Sequence, residues 1–88
     1  MIRLTTNVET FESAAWTPAD ESYLQIAATS DQTTVDVQAR VSTDAAWVTV
    51  ATLHRISTPI VRIAKFPSLR LVARNNLGGQ TLNVWDNT

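Results

Sequence analysis

The sequence predicts an all-β fold: an antiparallel β-sandwich or small barrel of about six to eight strands. Two observations carry this. Between Thr33 and Ser42, Val35, Val37, Ala39 and Val41 alternate with Thr34, Asp36, Gln38 and Arg40, so one face is dry and the other wet, as in a half-buried antiparallel strand. The same alternation then recurs along the chain between clusters of turn residues, at a spacing of about 8–12 residues.

Taken in order, Ile2 and Leu4 flank Arg3 and predict a short first strand. Asn7 to Glu12 is polar and unpatterned, and Ser13-Ala14-Ala15-Trp16 is a candidate second short strand. Thr17-Pro18-Ala19-Asp20-Glu21 has the capping residue, proline and acids of a helix start. Nothing amphipathic follows it, so it is a loop. From Tyr23 to Ala28, Leu24, Ile26 and Ala28 alternate with Tyr23, Gln25 and Ala27, and Thr29-Ser30-Asp31-Gln32 is turn chemistry.

The stretch Thr33–Leu53 predicts a hairpin. A loop of even length centred on Asp44-Ala45 sets Val41 against Val48 and Ala39 against Val50, with Trp47 on the outer face beside Arg40. An odd loop shifts the register by one and turns Trp47 inward. The even loop buries two valines on each strand and is preferred. Pro59 then leads a strand through Val61 and Ile63, and Lys65-Phe66-Pro67-Ser68 turns the chain. Leu69, Leu71 and Ala73 form the inward face of the next strand. Asn75 to Gly79 is the strongest turn in the sequence, because Asn and Gly accept positive φ. Leu82 and Val84 line the last strand. Pairing the last two strands as a hairpin places Leu71 opposite Leu82, Leu69 opposite Val84, and Trp85 outside, diagonal to Arg70. Val35, Val37, Val41, Val48, Val50, Ile63, Leu71 and Val84 are the expected core.

Residues 1–88 form one domain. A chain of this size buries only about 60–65% of its unfolded surface, and without cysteine no disulfide reinforces the core. A thin core of this kind favours a partner surface, and a homo-oligomer is the economical expectation. The net charge of −1 argues against nucleic acid as a partner. No run of apolar residues is long enough for a membrane-spanning helix, and the N-terminus lacks the apolar stretch of a secretory signal. The chain opens on its own Met and reads as a complete product made in a cytoplasm.

The charges are unevenly spread. Residues 1–44 hold Glu9, Glu12, Asp20, Glu21, Asp31, Asp36 and Asp44 against Arg3 and Arg40. Residues 45–88 hold Arg55, Arg62, Lys65, Arg70 and Arg74 against Asp86. Two readings follow: opposite charges pair between neighbouring strands, or complementary faces meet between subunits.

No catalytic, cofactor or metal site is expected, and the chain does not read as an enzyme. His54 stands beside Arg55 with no nucleophile elbow or triad order around it. Asp31, Asp36 and Asp44 match no calcium-loop spacing. Gly78-Gly79 is followed by neither the Lys-Ser/Thr pair nor the helix of a phosphate loop.

Three tryptophans in 88 residues, and six arginines against one lysine, are the unusual features. Trp16 is expected in the core. The register places Trp47 and Trp85 outside, where a tryptophan stacks a sugar ring or anchors an interface. Arg62, Arg70 and Arg74 share the outer-face parity of what read as adjacent strands. Such a ladder suits carboxylates or phosphates, or simply solvent. Trp47, Trp85, Arg62, Arg70 and Arg74 are therefore the candidate interface residues.

The run Val37-Gln38-Ala39-Arg40-Val41-Ser42-Thr43-Asp44, with Trp47-Val48-Thr49-Val50, Ile60-Val61-Arg62-Ile63, Leu69-Arg70-Leu71-Val72-Ala73 and Leu82-Asn83-Val84, resembles small β-sandwich accessory proteins of tailed bacteriophage virions. That resemblance implies a non-enzymatic structural protein, made in the host cytoplasm and built into the virion as a capsid decoration or cement protein. Its partners would be other viral structural proteins of the capsid or head–tail region. The pattern of a strand, Ser-x-Asp, a turn and Trp-x-x-Val is also similar to adhesion and carbohydrate-binding sandwiches. The alternatives are a carbohydrate-binding or host-recognition module using an exposed tryptophan, and a tail or head–tail accessory protein.

Overall fold

A computed structural model describes residues 1–87. Eight strands are found among these residues: β1 (Ile2–Thr6), β2 (Phe11–Glu12), β3 (Ser22–Ala27), β4 (Thr34–Arg40), β5 (Val48–Leu53), β6 (Ile60–Ile63), β7 (Ser68–Arg74) and β8 (Leu82–Asp86). They build two four-stranded antiparallel sheets, one ordered β1-β8-β3-β6 and the other β2-β7-β4-β5. The fold is the expected all-β sandwich.

Alternation decides what lies between the sheets. Leu4, Leu24, Ile26, Ile63, Leu82 and Val84 face inward from the first sheet, and Val35, Val37, Leu53, Leu69, Leu71 and Ala73 from the second. Five of the eight expected core residues are buried: Val35, Val37, Ile63, Leu71 and Val84. Trp16 is half-buried and packs against this core, where it bridges to Leu69. The candidate strand at Ser13–Trp16 is reduced to that bridge, and the short strand beside β7 is Phe11–Glu12.

Topology departs from the hairpin reading. Every connection except β4–β5 crosses from one sheet to the other. β7 and β8 therefore lie in different sheets, and Trp85 is not diagonal to Arg70. The predicted pairs Leu71–Leu82 and Leu69–Val84 are therefore not ladder partners, although all four residues belong to the one core. The crossing is made at residues 75–81, where Asn75, Gly78 and Gly79 take φ of 56°, 80° and 67°. Asn76 pins this arch. Its buried side-chain amide donates to Val8 O (3.3 Å) and Gln80 O (2.9 Å), and its backbone N–H donates to Glu9 O (3.1 Å).

The β4–β5 hairpin also differs. Ala39 faces Val48 and Gln38 faces Thr49, but Val37 faces Ala51. Val50 is the extra residue of a bulge, a common feature of edge strands, and the register near the loop is two residues away from the expected one. Val41, Val48 and Val50 are exposed at 73%, 60% and 40%, against the expectation of burial. Val48 does share the core-facing side with Ala39. Val48 thus points to the core side, but the opposite sheet does not reach far enough to cover this end.

Candidate functional site

The five candidate residues fall on opposite sides of the molecule. Arg62 and Trp85 belong to the sheet β1-β8-β3-β6, whereas Arg70 and Arg74 belong to β7 of the other sheet, so no single arginine ladder exists. Trp47 lies just before β5 in the half-buried surface of that second sheet. Its indole is flanked by two guanidiniums, Arg40 at 4.3 Å and Arg70 at 4.7 Å from the ring centroid. A ring held by two guanidiniums in this way is part of the protein's own surface packing.

The arginines are engaged within the chain. Arg70 donates to Gln38 Oε1 (2.7 Å) and lies 3.5 Å from Glu12 Oε2. Arg74 donates to Asp36 Oδ2 (3.0 Å), and Arg62 to Glu21 Oε2 (2.7 Å). Arg55 pairs with Asp31, and Arg3 with Asp86 at 2.6 Å. Each arginine of the basic half thus meets an acid of the acidic half. The lone acid of residues 45–88 meets an arginine of residues 1–44. Pairing within one molecule thus takes up the arginines of both halves except Arg40, while Glu9, Asp20, Asp44 and Lys65 form no ion pair among the described residues, so the intramolecular reading accounts for most of the charge asymmetry. Glu21 holds the Arg62 guanidinium above its ordinary pKa by hydrogen bonding and charge.

His54 is a turn residue. Its Nδ1 accepts from the backbone N–H of Ile56 and Ser57, and Nε2 faces Asp31 O. Among the described residues no three His, Asp or Glu side chains gather as metal ligands.

Two surfaces stand out instead. The first is the uncovered end of the sandwich. Ala39, Val41, Ala45, Ala46, Val48, Val50 and Phe66, with Arg40, line an open apolar groove of about 320 Å³ that continues the core outward. The second is the outer face of the first sheet. Here Ile2, Trp85, Gln25 and Ile60 form one row across four strands. Tyr23 lies in the next row, between Arg62 and Asn87, whose Oδ1 accepts the Tyr23 N–H at 3.2 Å. A shallow depression of about 290 Å³ runs between Tyr23, Gln25, Ile60, Trp85 and Asn87.

Alternation already placed Tyr23 and Gln25 on the outside. It could not place them beside Trp85, because the β3–β8 pairing joins segments far apart in the chain. Comparison with protein-family models, with curated proteins and with solved structures finds no match.

Proposed function

We propose that this protein is a non-enzymatic structural component of a tailed-bacteriophage particle, a capsid decoration or cement protein. It acts by seating its uncovered end on neighbouring protein subunits. The observation that carries this reading is the groove at Val41, Val48, Val50 and Phe66, where core-facing residues lack a covering layer. Apolar surface of this kind gains about 25 cal/mol per Å² when a partner removes it from water. A thin core gains stability from the same event. The β-grammar resemblance to virion accessory proteins supplies the class of partner, and repeated copies on a particle supply the multivalency that makes weak contacts effective.

The test is native mass spectrometry and particle co-sedimentation with Val41→Lys. Val41 is 73% exposed, so the variant folds as the parent does. Loss of particle binding or self-association supports the reading, and unchanged binding by the folded variant rejects it.

A further inference from the structure

The structure assigns a second binding surface, on the outer face of β1-β8-β3-β6, to a neutral saccharide stacked on Trp85. This surface is remote from the groove in residue content: the two share no lining residue.

On the outer face of β2-β7-β4-β5 the central polar side chains are paired with one another. Gln38 bridges Thr49 and Arg70, Asp36 bridges Thr52 and Arg74, and the Trp47 ring is in contact with the guanidiniums of Arg40 and Arg70. On the first sheet the polar groups around Trp85 are not engaged in this way. Among the described residues the side-chain amide of Gln25, the indole N–H of Trp85 and the hydroxyl of Tyr23 make no hydrogen bond within the chain. Asn87 uses its Oδ1 for the Tyr23 backbone and keeps its NH₂ for a ligand. Uncommitted donors and acceptors thus surround two aromatic rings at the margin of a shallow depression.

That chemistry matches a sugar ring. The axial C–H face of a pyranose lies on an indole, and hydroxyls exchange hydrogen bonds with planar amides, which both donate and accept. Charge argues for a neutral ligand. The Asp86 carboxylate is buried against Arg3, and Arg62 is paired with Glu21, so charges at the margin are already compensated. Regular strands hold the platform, with Gln25 directly opposite both Trp85 and Ile60. The depression is open and shallow, which suits an internal stretch of a glycan chain more than an enclosed monosaccharide.

The test is two-dimensional NMR of the full chain with cellohexaose, maltohexaose and chitohexaose as probes. The three indole N–H signals are separated by the variants Trp16→Phe, Trp47→Phe and Trp85→Phe. With one of these sugars at millimolar concentration, the Trp85 indole and the Gln25 and Asn87 amide signals are expected to move together while the Trp47 indole stays still. Gln25 is exposed, so Gln25→Ala keeps the fold; it should weaken binding by roughly fivefold, the loss of about one hydrogen bond. Three results overturn the proposal: no movement with any of the three sugars, equal binding by Gln25→Ala, or movement of the same signals with protein concentration alone. The last would make this face a contact between copies of the chain.

Discussion

Arg70 lies across the indole of Trp47, 4.7 Å from its centroid, while Arg40 sits at 4.3 Å. These contacts join the β4–β5 loop to the middle of β7 through the surface of one sheet. Each exposed cation–π contact is worth about 0.5–1 kcal/mol. A double-mutant cycle between Trp47→Leu and Arg70→Gln, read by urea denaturation, is expected to return a coupling of that size. A coupling indistinguishable from zero would mean the ring is held by shape alone.

Asn76 has a larger stake than its place in a turn suggests. It is 2% exposed and its amide serves two backbone carbonyls, Val8 O and Gln80 O. Thr33 Oγ1 also reaches its Oδ1 at 3.4 Å. Removing the amide breaks two part-buried hydrogen bonds and leaves both carbonyls short of a donor, at about 1–3 kcal/mol. Asn76→Ala is expected to cost about 2–4 kcal/mol in chemical denaturation, since two acceptors are affected. Asn75→Gly, at a φ of 56°, is expected to be neutral or mildly stabilising, because glycine accepts that backbone without strain.

The contrast between these positions shows what the sequence could say. Inward and outward faces follow from alternation whatever the partner strand, so Leu24, Val35, Leu71 and Val84 were legible as core. Strand partners were not. Adjacent strands in sequence read most simply as hairpins, yet among the described residues only β4–β5 is one. The outward direction of Trp85 was legible, and its neighbours Gln25 and Tyr23 were not, because nothing local specifies which distant strand lies alongside β8. The exposed valines fail for a third reason. Parity tells which way Val48 points but not how far the opposite sheet extends.

Asp44 supplies a pH-dependent contact at the hairpin tip. The Ser42 hydroxyl donates to its Oδ1, and this hydrogen bond, with one from the Asp44 backbone, lowers the carboxyl pKa below its ordinary value. A folded pKa below the unfolded one means that the contribution is present above the unfolded value and lost as pH falls through the folded one. Ser42→Ala is expected to return the Asp44 pKa toward the ordinary carboxylate value in an NMR titration. It should also flatten any acid-side loss of order at residues 42–46. An unchanged titration would remove the hydroxyl as the cause.

Val37 and Val48 give the sharpest test of the open-ended sandwich, since both belong to the β4–β5 hairpin and point toward the core side. Val37 is 0% exposed and Val48 60%. Val37→Ala removes methyl groups from a closed interior and leaves a void, so about 1.5–3 kcal/mol of stability should be lost. Val48→Ala removes the same atoms from a surface still in contact with water, and its cost in the isolated chain should stay below about 0.5 kcal/mol. Bound to a partner through the groove, Val48 becomes interior, and the same substitution should then weaken association by several-fold while leaving the free chain's unfolding curve in place. If Val48→Ala destabilises the free chain as much as Val37→Ala, the end of the sandwich is closed in solution, and the groove has no partner to find.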